Sequence, residues 1–254
     1  MSKPNQLILV GGGSTIKEGI EKGLWDKLKD RYTIALNYSY KHLNSTFLTY
    51  VDAKFYEGRE THAEVANLPL IVGKRHMADR GIHPNTILLP SMPFWNRELN
   101  PGIYSAILCG IWALSLGIYL LDEGEIFLLG YDFGEVRTEK QEEQLGHIGE
   151  IIRISQKDKE GQPLTHYYQG EVKHNGVGRV NWYNGKDRAE RAFSPFKNEV
   201  KCKIYNVSLI SKIKTFPKIS YDDFLGRLDN VIVNQDELRT EIRNKLTNRS
   251  WGVT

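Results

Sequence analysis

The chain has 254 residues, with 34 Lys+Arg against 31 Asp+Glu and a formal net charge of +3. That length accommodates one α/β domain with a substantial core, or one domain carrying a large insertion. So even a charge balance supplies no strong field for nucleic acid or a membrane surface, and two cysteines make neither a disulfide framework nor a zinc cluster, which points to a reducing cytoplasm.

Met1 to Gln6 is short and polar and lacks the apolar core of a secretory signal. Leu7 to Val10 then reads as a buried strand, Gly11-Gly12-Gly13 as a tight turn, and Ile16 to Leu28 as an amphipathic helix with Ile16, Ile20, Leu24 and Leu28 on one stripe. A glycine turn lets backbone N–H groups approach a phosphate, and Ser14 and Thr15 are available as an N-cap or as hydroxyl donors. Neither the G-x-G-x-x-G spacing of a dinucleotide site nor the G-x-x-x-x-G-K-[ST] of a P-loop is present. The turn therefore suits a mononucleotide-diphosphate site, or serves as a tight βα connection with no ligand.

Further short apolar runs follow at Tyr32–Leu36, Phe47–Val51, Leu68–Val72, Thr86–Leu89, Ile126–Leu129 and Lys203–Val207. With helical patterns between several of them, they predict a doubly wound, mostly parallel α/β sheet flanked by helices. Ile103 to Leu121 holds 19 residues without a charge, close to a membrane span of about 20. Gly110, Gly117, Ser105 and Ser115 interrupt it and no Lys/Arg cluster anchors its ends, so it reads as a helix buried on most sides, with Ile103, Ile107, Ile111 and Leu114 as one stripe.

In such sheets ligands bind at the carboxyl ends of the strands. The residues there are Gly11 to Ser14, Asn37-Tyr38-Ser39, Asp52-Ala53 and Gly130-Tyr131-Asp132-Phe133. From Gly134 to about Val200 the periodicity fades into a polar, glycine-punctuated, aromatic stretch, which predicts a small subdomain or lid over residues 134–200 within one nucleotide-binding domain, or a hairpin decoration that only packs. Ser220 with Asp223 reads as a capped helix start, and Asn234 to Asn248 as a polar helix that closes the domain or contacts a second subunit.

The collinear order of Gly11-Gly12-Gly13-Ser14, Asn37, Asp52, Pro101-Gly102-Ile103-Tyr104, Leu129-Gly130-Tyr131-Asp132-Phe133 and Tyr205-Asn206-Val207-Ser208 resembles the bacterial, Campylobacter-type sialyltransferase family and the related MptE-like pyrophosphokinase group, a layout shared with phage putative glycosyltransferases. The resemblance implies a Rossmann-like, GT-A-like sheet, a nucleotide-sugar donor and metal-independent transfer with a lid histidine as base. Carried over, Gly11, Gly12, Gly13 and Ser14 would contact the donor phosphate or ribose, and Asn37 and Asp52 nucleotide or sugar groups. Gly102 and Tyr104 would lie under the base or phosphate, with Tyr131, Asp132 and Phe133 lining the nucleoside pocket. Asn100-Pro101-Gly102 stands where the sialyltransferases carry Thr-Ser-Gly, so the sugar is left unspecified. The MptE-like alternative transfers diphosphate from ATP with magnesium, and a nucleotide-binding module without catalysis is the third class.

Glycosyl transfer needs a base of near-neutral pKa, which histidine supplies. His42, His62, His76 and His83 sit in polar segments that read as surface loops or helix edges; His147, His166 and His174 fall in the 134–200 stretch. His174, flanked by Asn175-Gly176 and followed by Arg179 to offset leaving-group charge, is the first candidate, with His166 next and Asp132 as the fallback. No Asp-x-Asp metal motif occurs, although Asp52 and Asp132 at strand ends could share a magnesium ion. Trp182, Tyr183, Phe193 and Phe196 among Lys173, Arg179, Arg188 and Lys197 form a weaker pattern for stacking nucleic acid. The acceptor is left open between a glycan, a modified DNA base and a small molecule; a homo-oligomer is compatible with the pattern.

Overall fold

The computed structural model describes residues 4–51, 62–74, 83–89, 109–132, 167, 188–197 and 200–248. Its strands are β1 (Gln6–Val10), β2 (Thr33–Leu36), β3 (Phe47–Tyr50), β4 (Ile71–Lys74), β5 (Thr86–Leu89), β6 (Gly124–Leu129) and β7 (Cys202–Val207). They form one parallel sheet in the order β5-β4-β3-β2-β1-β6-β7. The helices are α1 (Ile16–Glu21), α2 (Leu24–Leu28), α3 (His62–Ala66), α4 (Cys109–Leu121), α5 (Arg188–Phe193), α6 (Tyr221–Arg227) and α7 (Gln235–Thr247). This is the Rossmann-like α/β plan expected from the apolar runs.

Alternation along β1 assigns the two faces. Leu7 and Leu9 join α4, α5 and α7 in one core cluster, whereas Ile8 and Val10 join α1, α2 and α6 in the other. Both faces are covered, so β1 is buried throughout and carries no polar alternation beyond Gln6. α4 lies across β1, β2 and β3 and is buried everywhere except Cys109 and Tyr119. Each fully buried Leu or Ile in it contributes about 1.5–3 kcal/mol. At Gly117 the helix approaches the sheet so closely that a Cβ would stand 2.8 Å from a Leu7 methyl. The uncharged run is thus a core helix, and among the described residues no helix is long and apolar enough to cross a membrane.

Two boundaries differ from the sequence reading. The helix expected over 16–28 is two short ones, because Gly23 adopts φ 75° and turns the chain. Ile20, near the end of the first, is 38% exposed while Ile16 and Leu24 are fully buried, so the expected stripe is interrupted there. β4 begins at Ile71 rather than Leu68, since the Leu68 amide closes the turn after α3 on Val65 and Pro69 has no N–H to give a ladder. Ser220 and Asp223 do form the capping box of α6: the Asp223 amide donates to Ser220 Oγ at 3.0 Å, and the Ser220 amide to Asp223 Oδ2 at 3.3 Å.

α7 closes the domain at the amino ends of β3 and β4. It buries Leu238, Ile242 and Leu246, while Arg239 donates to the Thr46 and Ser45 carbonyls at 2.9 and 3.1 Å and Arg243 to the Pro69 carbonyl at 2.6 Å.

Candidate functional site

Strand order reverses between β1 and β6: the chain runs outward from β1 to β5, then returns to place β6 on the other side of β1. Side by side in parallel, the two strands carry their following loops to the same end, which is where ligands bind in open α/β sheets. The Gly11–Thr15 turn and the Gly130–Asp132 segment therefore meet directly.

The contact is backbone on backbone. The Gly11 amide donates to the Leu129 carbonyl at 2.8 Å and the Gly13 amide to the Gly130 carbonyl at 2.9 Å. A Cβ at Gly11 would lie 2.9 Å from the Gly130 oxygen; one at Gly13 would lie 2.6 Å from both that oxygen and Asp132 Cγ. Gly130 itself sits at φ 66°. Close approach of the β6 end is thus sufficient reason for glycine at 11 and 13.

Asp132 fills the space in front of α1. Its carboxylate, 4% exposed, accepts the Thr15 amide at 3.0 Å, the Thr15 hydroxyl, and the Ser14 hydroxyl at 3.4 Å. Thr15 occupies the N-cap position of α1, yet its side chain makes no cap hydrogen bond there because the hydroxyl is turned to Asp132. The N-cap expected from Ser14 and Thr15 is replaced by a carboxylate from across the sheet, favoured by the amide dipoles it faces. Among the turn's amides, those of Gly12 and Ser14 donate to no acceptor among the described residues. The Gly11 carbonyl accepts Ser39 Oγ at 2.9 Å, and the Gly12 carbonyl accepts the Tyr167 amide at 3.0 Å.

Around this junction the strand ends carry further polar groups. Asn37 follows β2 with φ 50°, and its side-chain carbonyl oxygen is buried without a partner among the described residues. Asn206, fully buried on β7, donates to the Tyr131 carbonyl at 3.2 Å and to Ser211 Oγ at 2.8 Å, and Ser211 Oγ donates to the same carbonyl at 2.7 Å. The Asn206 side-chain oxygen and the Ser208 hydroxyl, both buried, have no partner among the described residues. Tyr221, at the start of α6, stands near Asp132; burial first, then that carboxylate's charge, pushes its phenol well above the ordinary value, so it stays a neutral hydroxyl.

Of the residues singled out from sequence, Gly11, Gly12, Gly13, Ser14, Asn37 and Asp132 belong to or adjoin this junction. Tyr131 points the other way: it is 1% exposed, donates its hydroxyl to the Gly110 carbonyl at 3.2 Å and packs edge-on against Phe193, so it is a core residue. Asp52, Gly102, Tyr104, Phe133, His147, His166, His174 and Arg179 lie outside the described residues. Phe193 and Phe196 are buried in the main core and are withdrawn from any stacking surface. His42, expected at the surface, is stacked on Trp25 at 6.0 Å and meets Tyr167 edge-on at 5.3 Å. Neither cysteine forms a disulfide; Cys202 is held in β7 with its thiol pushed up to about 11 by burial and the nearby Asp122 and Glu123.

Ser211 and Tyr221 were missed as members of the constellation, while Asn206 and Ser39 were named only within the motif order and the strand-end residues and given no role. An asparagine inside an otherwise apolar strand run was the signal available for Asn206. A cavity of about 340 Å³ lies elsewhere, lined by Lys41, His42, Asn44, Phe47, Leu68 and Leu70 near the amino ends of β3 and β4. Comparison with known proteins yields no match to any family model, curated protein or solved structure.

Proposed function

We propose that this chain is a glycosyltransferase that uses a nucleotide-activated sugar, acts without a metal and works in the cytoplasm. The observation that carries the reading is Asn37, at the carboxyl end of β2 beside the strand-order reversal. It is held at positive φ, and its side-chain carbonyl oxygen is buried with no donor among the described residues. A left-handed non-glycine residue with an unsatisfied buried acceptor is held at a cost that a ligand hydroxyl offsets, and ribose or sugar hydroxyls are such donors. The amides of Gly12 and Ser14, which donate to no acceptor among the described residues, supply donors toward the same ligand.

In this reading the acceptor hydroxyl loses its proton to His174 as its oxygen bonds the anomeric carbon. The bond from that carbon to the phosphate oxygen breaks, and Arg179 receives the charge of the leaving nucleotide. Asp132 acts as a positioning residue rather than a base, because both its oxygens accept from Ser14 and Thr15.

The test is a binding and hydrolysis panel of nucleotide sugars. Asn37→Ala is expected to weaken donor binding at least about tenfold. His174→Ala is expected to lower transfer about 10²- to 10⁴-fold with donor affinity unchanged, His166→Ala being the internal comparison. Absence of nucleotide-sugar binding and turnover refutes the reading. Thermal protection by ATP and magnesium alone would favour the pyrophosphokinase alternative, and nucleotide binding unaffected by either histidine variant a module without catalysis.

A further inference from the structure

The loop leaving β7, Ser208 to Lys218, contains Lys212, Lys214 and Lys218 and no acidic residue. It is fixed at both ends of its course. The Lys212 amide donates to the Asp132 carbonyl at 2.9 Å, and the Asn206 amide to the Pro217 carbonyl at 2.9 Å. Glu190 of α5 accepts the Lys214 amide at 2.7 Å, the Thr215 amide at 3.2 Å and the Thr215 hydroxyl at 2.7 Å. The nearby carboxylates are thereby committed to internal donors: Glu190 to the loop backbone, Asp132 to Ser14 and Thr15. Among the described residues neither Lys214 nor Lys218 forms an ion pair, and the Lys218 ammonium donates to the Ser211 carbonyl.

The loop thus concentrates positive charge beside the β6 end. Burial, then the charges of Lys214 and Lys212, lower the Lys218 pKa, with Glu190 opposing them. Holding like charges together this way is unfavourable until an anion joins them. At the base of the loop the buried Ser208 hydroxyl has no partner among the described residues. The glycine turn needs help with an anion: the Asp132 carboxylate already faces its amides, and α1, at six residues, is too short to offset that charge.

We propose that the Ser208–Lys218 loop is the phosphoryl-binding element of this protein, with Lys214 and Lys218 as its cations. Ammonium groups spread along a loop match the several oxygens of a phosphoryl or diphosphoryl group better than the single plane of a carboxylate. The phosphoryl group belongs either to the nucleotide donor or to a phosphorylated acceptor. Only assignment to the donor rests on the nucleotide-sugar reading above.

The experiment is calorimetric titration of the full chain with inorganic pyrophosphate, uridine and guanosine diphosphates, the parent nucleosides and a hexose phosphate. Wild type is compared with Lys214→Gln, Lys214→Gln/Lys218→Gln and a control, Lys201→Gln/Lys203→Gln, which removes the same charge before and at the amino end of β7. Circular dichroism and thermal melting verify folding; Lys214→Gln alone, at an exposed side chain, keeps the test valid should the double variant not fold. Pyrophosphate affinity is expected to fall at least about tenfold in the double variant, measurably in Lys214→Gln, and not in the control. An equal loss in the control, no loss in Lys214→Gln, or no pyrophosphate binding to wild type overturns the proposal. Lysine-dependent loss for nucleoside diphosphates but not the hexose phosphate assigns the group to the donor, and the reverse to the acceptor. Pyrophosphate binding that depends on the lysines while no nucleotide binds keeps the loop assignment and refutes the donor reading. Nucleoside diphosphates and the hexose phosphate both bound equally by wild type and double variant refute the loop assignment and leave the donor reading standing.

Discussion

Replacing Asp132 by asparagine tests whether its carboxylate holds the β1 turn. Thr15 presents two donors to it, the amide at 3.0 Å and the hydroxyl, and Ser14 a third at 3.4 Å. Asparagine keeps the shape but offers an oxygen on one side only, so its NH₂ must face a donor on the other. With a hydrogen bond to a buried charged group contributing about 1.5–3 kcal/mol, Asp132→Asn is expected to lose at least one such bond, about 1.5–3 kcal/mol. For a domain of this size that corresponds to a melting temperature lowered by about 3–12 °C. Thr15→Val removes the hydroxyl and keeps the amide. Because both substitutions disrupt one interaction, the double variant is expected to fall short of additivity by about 1 kcal/mol or more. Urea denaturation of the four proteins measures this; a single-variant loss below about 0.5 kcal/mol, or strict additivity, would refute the assignment of Asp132 as the partner of the turn.

Other substitutions read different parts of the fold. Gly13→Ala is expected to cost about 1–3 kcal/mol because its Cβ would meet Asp132 and the Gly130 oxygen at 2.6 Å, whereas Gly226→Ala on α6, with nothing within 4 Å, should stabilise by about 0.5–1 kcal/mol; denaturation of both checks the contrast. The Cys202 thiol, raised to about 11, favours its protonated form when folded. Its contribution is therefore complete below the ordinary thiol value and lost as pH rises from about 9 toward 11, a loss that denaturation against pH should register and that Cys202→Ala should diminish. Ser220→Ala is expected to cost about 1 kcal/mol and to return the Asp223 carboxyl, now held low chiefly by the Ser220 hydroxyl, toward its usual range, as NMR titration would report.

The strands were legible because each is a short, mainly apolar run, and β1, β2 and β3 are buried on both faces, so burial and sequence pattern coincide. Where a single backbone-determined residue intervened the reading slipped, at Gly23 and at Pro69. The capping box at Ser220 was readable since both partners are local. The Thr15–Asp132 contact was not, because 117 residues separate the partners and no periodicity records which distant side chain faces a turn. The same limit applies to Tyr131: adjacent to Asp132, it turns to the opposite core, a choice set by the backbone beyond β6 rather than by residue type. The lysines of the β7 loop carry no signal in the sequence pattern, because the commitment of Glu190 and Asp132 to other donors is visible only in the fold.

The pairing of β1 with β6 also sets a timetable. Gln6 and Glu125 are register partners 119 residues apart, so during synthesis at about 5–20 residues per second one edge of β1 waits roughly 6–24 s for its neighbour. Its other edge can be occupied far sooner, since Ile8 pairs with Thr33. The waiting edge belongs to Leu7-Ile8-Leu9-Val10, an uncharged template for intermolecular strand addition. Nascent chains stalled before residue 124 should accordingly aggregate more readily than chains stalled beyond 207, and equal solubility of the two would show that the half-formed sheet protects this edge by other means.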